Sequence, residues 1–165
     1  MSSGPSSITM PGIPPRAQAE SITEMTEYVL PQHANVFGNV FGGQIMAWVD
    51  LCAAICAQRH STRPCVTAFI DDMLFQGPVR VGEVVHLRAK VTATFRTSME
   101  IEVVVTGEDS LTRRRWPCVK CMIVFVAIDD ERKPTPVPPL LLDSDVLRAS
   151  QAAAESRRRA RLEKR

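Results

Sequence analysis

The chain has 165 residues, 45% of them apolar and 23% charged, which suits one domain with a full core and excludes a disordered or fibrous chain. Its formal charge of +2 is uneven: from Arg148 onward seven Lys/Arg face two Glu, a net of +5 that leaves the remainder at −3. The body therefore offers no basic face for nucleic acid. The basic run reads first as a solvated helix end, with contact to an anionic partner as the alternative.

Residues 1–20 are rich in Ser, Pro and Gly and are expected to be disordered. They have no apolar core, so neither a secretory signal nor a transit peptide is expected, and the chain reads as cytoplasmic. Glu24 to Leu30 predicts a short strand stopped by Pro31. A loop over 31–41 leads into a helix from Gly42 to about His60, ended by Ser61-Thr62-Arg63-Pro64. Cys65 to Phe75 predicts a second strand, broken near Asp71-Asp72, and Pro78 with Gly82 marks a turn.

The clearest strand signal follows. Val85, Leu87, Ala89, Val91, Ala93 and Phe95 alternate with His86, Arg88, Lys90, Thr92, Thr94 and Arg96. Met99, Ile101, Val103 and Val105 repeat the pattern. The link Arg96-Thr97-Ser98 lacks the Asn-Gly chemistry of a favoured hairpin turn. A charged loop over 107–115 precedes a last strand from Trp116 to Ile128, apolar on both faces as an interior strand should be. Four prolines between Pro134 and Pro139 make an extended exit, and 144–165 predicts a helix with Ser144 as its N-cap. One strand, one long helix and four strands with short links imply an antiparallel sheet wrapped round a central helix, an α+β domain. The expected units are 1–20, 21–142 and a basic helix or tail over 143–165. No stretch is long enough to cross a bilayer.

Five cysteines without a secretion signal read as reduced thiols. Cys118 and Cys121 lie three apart on a strand and should face opposite ways. Cys52 and Cys56 lie one helical turn apart but lack a second ligand pair, so core packing fits better than metal.

The helix Gln44 to Gln58 is greasy almost all round and should be buried on every side. Asp50 lies in its middle, with Met46, Ala47, Ala53 and Ala54 one turn away and no cation among them. A buried carboxylate costs several kcal/mol unless it is paired, hydrogen-bonded or used. A working carboxylate fits, and so does a structural hydrogen bond to backbone. At Gly42 and Gly43 the helix start leaves backbone N–H groups at the positive end of the dipole, suited to an oxyanion. A tight turn with no ligand fits these glycines equally well. Asp71-Asp72 is not read as an acid–base pair, since neighbours on a strand diverge. His60 reads as structural, His86 as exposed, His33 as a loop contact, and Met46 and Trp48 as core.

Leu30-Pro-Gln-His-Ala-Asn35, Phe41-Gly-Gly43, Trp48-Val-Asp50, Arg59-His60, Cys65-Val-Thr67, Phe75, Pro78-Val79, Val81-Gly82, Thr97-Ser-Met-Glu100 and Phe125-Val-Ala127 occur in this order. Over residues 24–138 the chain resembles the hotdog-fold acyl-CoA thioesterases. These include bacterial short-chain acyl-CoA thioesterases and the hotdog repeats of cytosolic acetyl-CoA hydrolase and brown-fat-inducible thioesterase. The resemblance implies a hotdog fold and a homodimer with a continuous sheet, often assembled into a hexamer as a trimer of dimers. It implies hydrolysis of acyl-CoA to a free acid and coenzyme A, with Asn35 and Asp50 as catalytic residues meeting across the dimer interface. Two features depart from the family: this chain carries one repeat where mammalian members carry two, and His33 stands where many bacterial members have an acidic residue.

The residues fit that chemistry. Asp50 can act as general base toward water or as nucleophile. Asn35 offers both a donor and an acceptor. Coenzyme A carries phosphates, which the Arg96 guanidinium and the Thr97 and Ser98 hydroxyls would suit, with Lys133 a weaker candidate. A polar turn serves nearly as well as an explanation of each. No metal or redox cofactor is expected. The rivals are a hotdog dehydratase, which would want a histidine on the helix, and a non-catalytic acyl-CoA sensor.

Overall fold

The computed structural model describes residues 12–165. Its order is β1 (Thr23–Tyr28), α1 (Gly42–Ser61), β2 (Cys65–Phe75), β3 (Val84–Thr94), β4 (Ser98–Glu108), β5 (Arg115–Ala127) and α2 (Asp145–Glu163). The five strands form one antiparallel sheet in the order β1-β3-β4-β5-β2. The predicted elements all appear within a few residues of their expected ends. β3, β4 and β5 run 11 to 13 residues.

One sheet face wraps α1. Val85, Leu87, Ala89 and Val91 of β3, with Met99, Ile101, Val103 and Val105 of β4, join Cys121, Ile123 and Phe125 of β5 in one core. α1 adds Ile45, Trp48, Val49, Cys52, Ala53, Cys56 and Ala57 to it. The helix is not buried all round, contrary to expectation. Met46, Leu51 and Ile55 are exposed, because a single sheet covers only one side of a rod. β2 is an edge strand whose Val66, Phe69, Ile70, Leu74 and Phe75 are also exposed.

The opposite sheet face carries α2. Ser144 caps it, its Oγ accepting the Leu147 N–H at 3.2 Å. The predicted apolar stripe is thin, and polar contacts hold the helix instead of leaving it solvated. Arg157 donates twice to the fully buried Glu100 of β4, at 2.7 and 3.0 Å, and the Thr92 hydroxyl donates to the same carboxylate at 2.9 Å. Gln151 brackets Thr94, and Arg161 meets Asp71 at 3.3 Å.

Three local features differ from expectation. Of the segment expected to be disordered, residues 1–11 lie outside those described. Arg16, however, pairs with the 139–141 segment through two backbone hydrogen bonds, and Gln18–Glu20 form a 3-10 turn. Cys118 and Cys121 are both buried in the one core, because the register slips between Val105/Val119 and Thr106/Pro117 and breaks strict alternation. His86 is not simply exposed: it pairs with Glu108, which Arg115 also meets at 3.3 Å.

His60 is structural, as expected. It is buried at the end of α1, and its Nε2–H donates to the Pro138 carbonyl at 2.8 Å. Burial holds its pKa below the usual 6.5, against the opposing effect of the Pro138 hydrogen bond. The unfolded ring therefore takes a proton at a higher pH than the folded one. This stabilisation is complete above pH 6.5 and is lost as pH falls from there toward the folded value. The urea midpoint should drop between pH 7 and pH 5, and His60→Gln, which keeps a donor but cannot titrate, should flatten that drop.

Candidate active site

The loop before α1 is a small folded unit. Asn35 N–H donates to the Asn39 carbonyl and Gly38 N–H to the Asn35 carbonyl. Gly38 takes φ +79°, a conformation open to glycine. The Asn35 side-chain oxygen accepts the N–H groups of Phe37 at 3.0 Å and Asn39 at 3.3 Å. That turn occupies the acceptor, so the amide nitrogen of Asn35 is the end left to act, as a donor. Sequence alone allowed either end. Val36 and Phe37, at the loop's tip, are 94% and 83% exposed. His33 makes loop contacts, as expected: its Nδ1 accepts the Leu30 N–H, and its ring meets Trp48 edge-on at 5.0 Å.

The chain then enters α1 with Phe41 as N-cap, and no side chain caps the helix. Gln44 and Ile45 N–H groups already find the Phe41 carbonyl. Among the described residues the N–H groups of Gly42 and Gly43 find no backbone acceptor outside the helix, and they lie at its positive end. Gly43 has open space where a Cβ would be, and a Cβ on Gly42 would meet the Phe75 ring at 3.4 Å. The glycines thus leave these donors open to a ligand.

Two turns along, Asp50 is half-buried, less enclosed than the sequence suggests. The Thr67 hydroxyl of β2 donates to its Oδ1 at 2.6 Å. Among the described residues Asp50 has no ion-pair partner. The rival reading, a carboxylate tied by main-chain amides, is not what the structure has. Thr67 stood in the quoted Cys65-Val-Thr67 run, but nothing local in the sequence assigned it to Asp50. Only the pairing of β2 beside α1 does so. The buried thiols are poor alternatives as nucleophiles, since burial pushes Cys52 up to about 11 and Cys56 up to about 12.

At 1.5 Å rise per residue, Gly43 and Asp50 of one helix lie about 10 Å apart along its axis. A reacting carbonyl lies about 3 Å from its oxyanion donors and from the attacking atom, which is the carboxylate itself for a nucleophile and an intervening water for a general base.

A groove of about 930 Å³ lies on the other sheet face, between the end of α2 and strands β2 and β5. Phe69, Leu74 and Val126 give it apolar walls, Thr97 and Ser98 line it, and Arg157, Arg158 and Arg161 line the α2 side. Arg158 and Arg161 also lie over the rings of Phe95 and Phe69. Arg96 is exposed in the same turn as Thr97 and Ser98. Lys133 does not line the groove and pairs with Glu131 at 3.1 Å. The α2 arginines were missed as site candidates; their spacing on one helix face was the available signal.

A family model described as the thioesterase superfamily matches residues 37–113. The acyl-CoA thioester hydrolase YkhA of Bacillus subtilis, itself uncharacterized, is 35% identical over 126 residues, 76% of this chain and 73% of that one. The chain belongs to the thioesterase superfamily.

Solved members of this superfamily share its hotdog fold. An apo-hexameric acyl-CoA thioesterase superposes with TM-score 0.86 at 34% identity, over 92% of this chain and 97% of the other. An acyl-CoA hydrolase of Staphylococcus aureus, solved with butyryl coenzyme A, coenzyme A and coenzyme A disulfide, gives 0.82 at 32% identity, over 92% and 94%. The acetyl-coenzyme A thioesterase of Mus musculus is 34% identical over 139 residues, which is 84% of this chain and 25% of that protein. The chain thus spans about a quarter of that mouse relative, and 18% of mouse acyl-coenzyme A thioesterase 11. Among the described residues no helix of this thioesterase-family chain is long and apolar enough to cross a membrane.

Proposed function

We propose that this chain hydrolyses acyl-CoA thioesters to a free acid and coenzyme A, with each site shared by two subunits. The observation that carries the reading is Asp50: a half-buried carboxylate, oriented by Thr67, on a helix whose uncapped start leaves two N–H donors. Its spacing supports it too. The Staphylococcus aureus hydrolase was solved as Asn→Ala, Asp→Ala and Thr→Ala variants, and those residues are spaced as Asn35, Asp50 and Thr67 are.

Asp50 of one subunit takes the proton of an attacking water, or attacks the thioester itself. Thr67 fixes the carboxylate's orientation. The N–H groups of Gly42 and Gly43 in the other subunit, with the Asn35 amide, stabilise the oxyanion as the carbonyl becomes tetrahedral. Collapse of that intermediate expels the coenzyme A thiolate. Exposed Met46, Leu51 and Ile55 on α1 and the apolar edge strand β2 supply the surface a second copy would cover. Such pairing would set the α1 helices of two subunits side by side, with Asp50 of one facing the Asn35 loop of the other. Hexameric relatives favour assembly beyond the dimer.

For the nucleotide end of coenzyme A, the groove beside α2 supplies hydroxyls from Thr97 and Ser98 and guanidinium groups from α2, with Arg96 close by. Lys133 keeps the weaker claim it had. A cytoplasmic setting agrees with the free thiols and with the mouse cytosolic acyl coenzyme A thioester hydrolase, 31% identical over 133 residues.

Saturated acyl-CoA substrates from acetyl to palmitoyl, followed with a thiol reagent, test the reaction. Release of thiol is expected, and tight binding without release would mark a sensor. Mixing Asn35→Ala with Asp50→Ala subunits tests the sharing. Each alone should be nearly inactive, while a random dimer mixture should recover about a quarter of the sites. No recovery after subunit exchange would refute a shared site.

A further inference from the structure

We propose that Trp116 is a positioning residue for Asn35, acting through the β2–β3 connection; this rests on the catalytic reading of Asn35 above. Trp116 lies at the start of β5, opposite Gly107 on β4. A Cβ on Gly107 would come within 2.5 Å of the indole, so the ring packs against bare backbone. A Cβ on Gly77, in the connection, would meet the same ring at 3.2 Å. The indole is thus held between a strand and the connection by two positions that carry no side chain.

Its N–H does not serve its own hairpin. It donates to the Pro78 carbonyl at 3.0 Å. One residue earlier than Gly77, Gln76 N–H donates to the Cys118 carbonyl at 2.7 Å. The first residues of β5 therefore fix the connection at two points. The connection in turn forms the floor of the Asn35 loop. Val40 N–H donates to the Val79 carbonyl at 2.8 Å, Val81 N–H donates to the Gly38 carbonyl at 3.1 Å, and Asn39 bridges Arg80. The carbonyl of Asn39 holds the Asn35 N–H, and the N–H of Asn39 holds the Asn35 side chain. A continuous chain of contacts runs from the indole N–H to the working amide. It stays outside α1, so it bears on Asn35 and not on Asp50. Loss of the Pro78 hydrogen bond frees the middle of the connection, and misplacement of a catalytic group by about 1 Å can cost a hundred-fold in rate.

The test measures kcat and KM for a short acyl-CoA in Trp116→Ala, Trp116→Phe and Gly107→Ala, each with Asn35 intact and with Asn35→Ala. Trp116→Phe keeps an aromatic ring while losing the donor and part of the indole's bulk, a milder change than alanine; Gly107→Ala displaces the indole without altering residue 116 itself. The expected result is a kcat loss of about ten- to hundred-fold for Trp116→Ala, less for Trp116→Phe, with KM moving less than about three-fold. In the Asn35→Ala background the same replacements should cost nothing further. Amides of Val40 and Val81 should exchange faster in the Trp116 variants. Losses that multiply in that background, or a change confined to KM, overturn the proposal. Full activity of Asn35→Ala alone would instead overturn the reading of Asn35, and the role of Trp116 with it.

Discussion

Asp50→Ala should reduce turnover by about a thousand-fold or more, while the protein folds and assembles as before. General acid–base catalysis contributes roughly 10²–10⁴ in rate, and loss of a nucleophile costs at least as much. The structural cost is small. Asp50 is half-buried and gives up one hydrogen bond from Thr67, a contribution of about 1 kcal/mol. Asp50→Asn sharpens the test, because its amide oxygen can still accept from Thr67 but cannot take a proton. Turnover by stopped-flow thiol release and stability by denaturant titration separate the two effects. Activity within about ten-fold of the parent in both variants would remove Asp50 from the chemistry.

Arg157→Ala carries the largest expected loss of stability. Glu100 is fully buried, and Arg157 supplies two of its charge-assisted hydrogen bonds; only the neutral Thr92 hydroxyl would remain. Stranding a buried charge in this way costs about 3–5 kcal/mol. Arg157 is itself a third exposed, so water can reach part of the vacated space and the low end applies. Roughly 3 kcal/mol corresponds to a fall in Tm of about 6–12 °C for a domain of this size. Replacing both partners, as Glu100→Met with Arg157→Met, should recover most of the loss, since no charge is then left behind. A double variant as unstable as the single one would show that α2 depends on the ion pair itself. Both proteins should be assayed as well, since Arg157 lines the groove proposed for coenzyme A.

These expectations draw differently on sequence and on structure. The alternation of Val85 to Phe95 and of Met99 to Val105 specifies β3 and β4 locally, because each face of a half-wet strand must match its surroundings. Asp50 stood out for a similar reason, as a charge set in an apolar helix. Partnership was not legible. Glu100 reads locally as one more polar residue on an alternating strand, and Arg157 as one of a solvated basic run. Their union depends on α2 crossing the far sheet face, some 57 positions later in the chain. The same holds for Thr67, 17 positions from Asp50, and for Trp116, whose indole serves the carbonyl of Pro78, 38 positions away.

Local pattern determined the elements, the family likeness and the identity of the isolated carboxylate, since periodicity and turn chemistry act over a few residues. Tertiary structure decided which end of Asn35 is free, which hydroxyl orients Asp50, and which face of α1 is left bare. Those are contacts between segments distant in the chain, and their energies exist only once the sheet has closed round the helix.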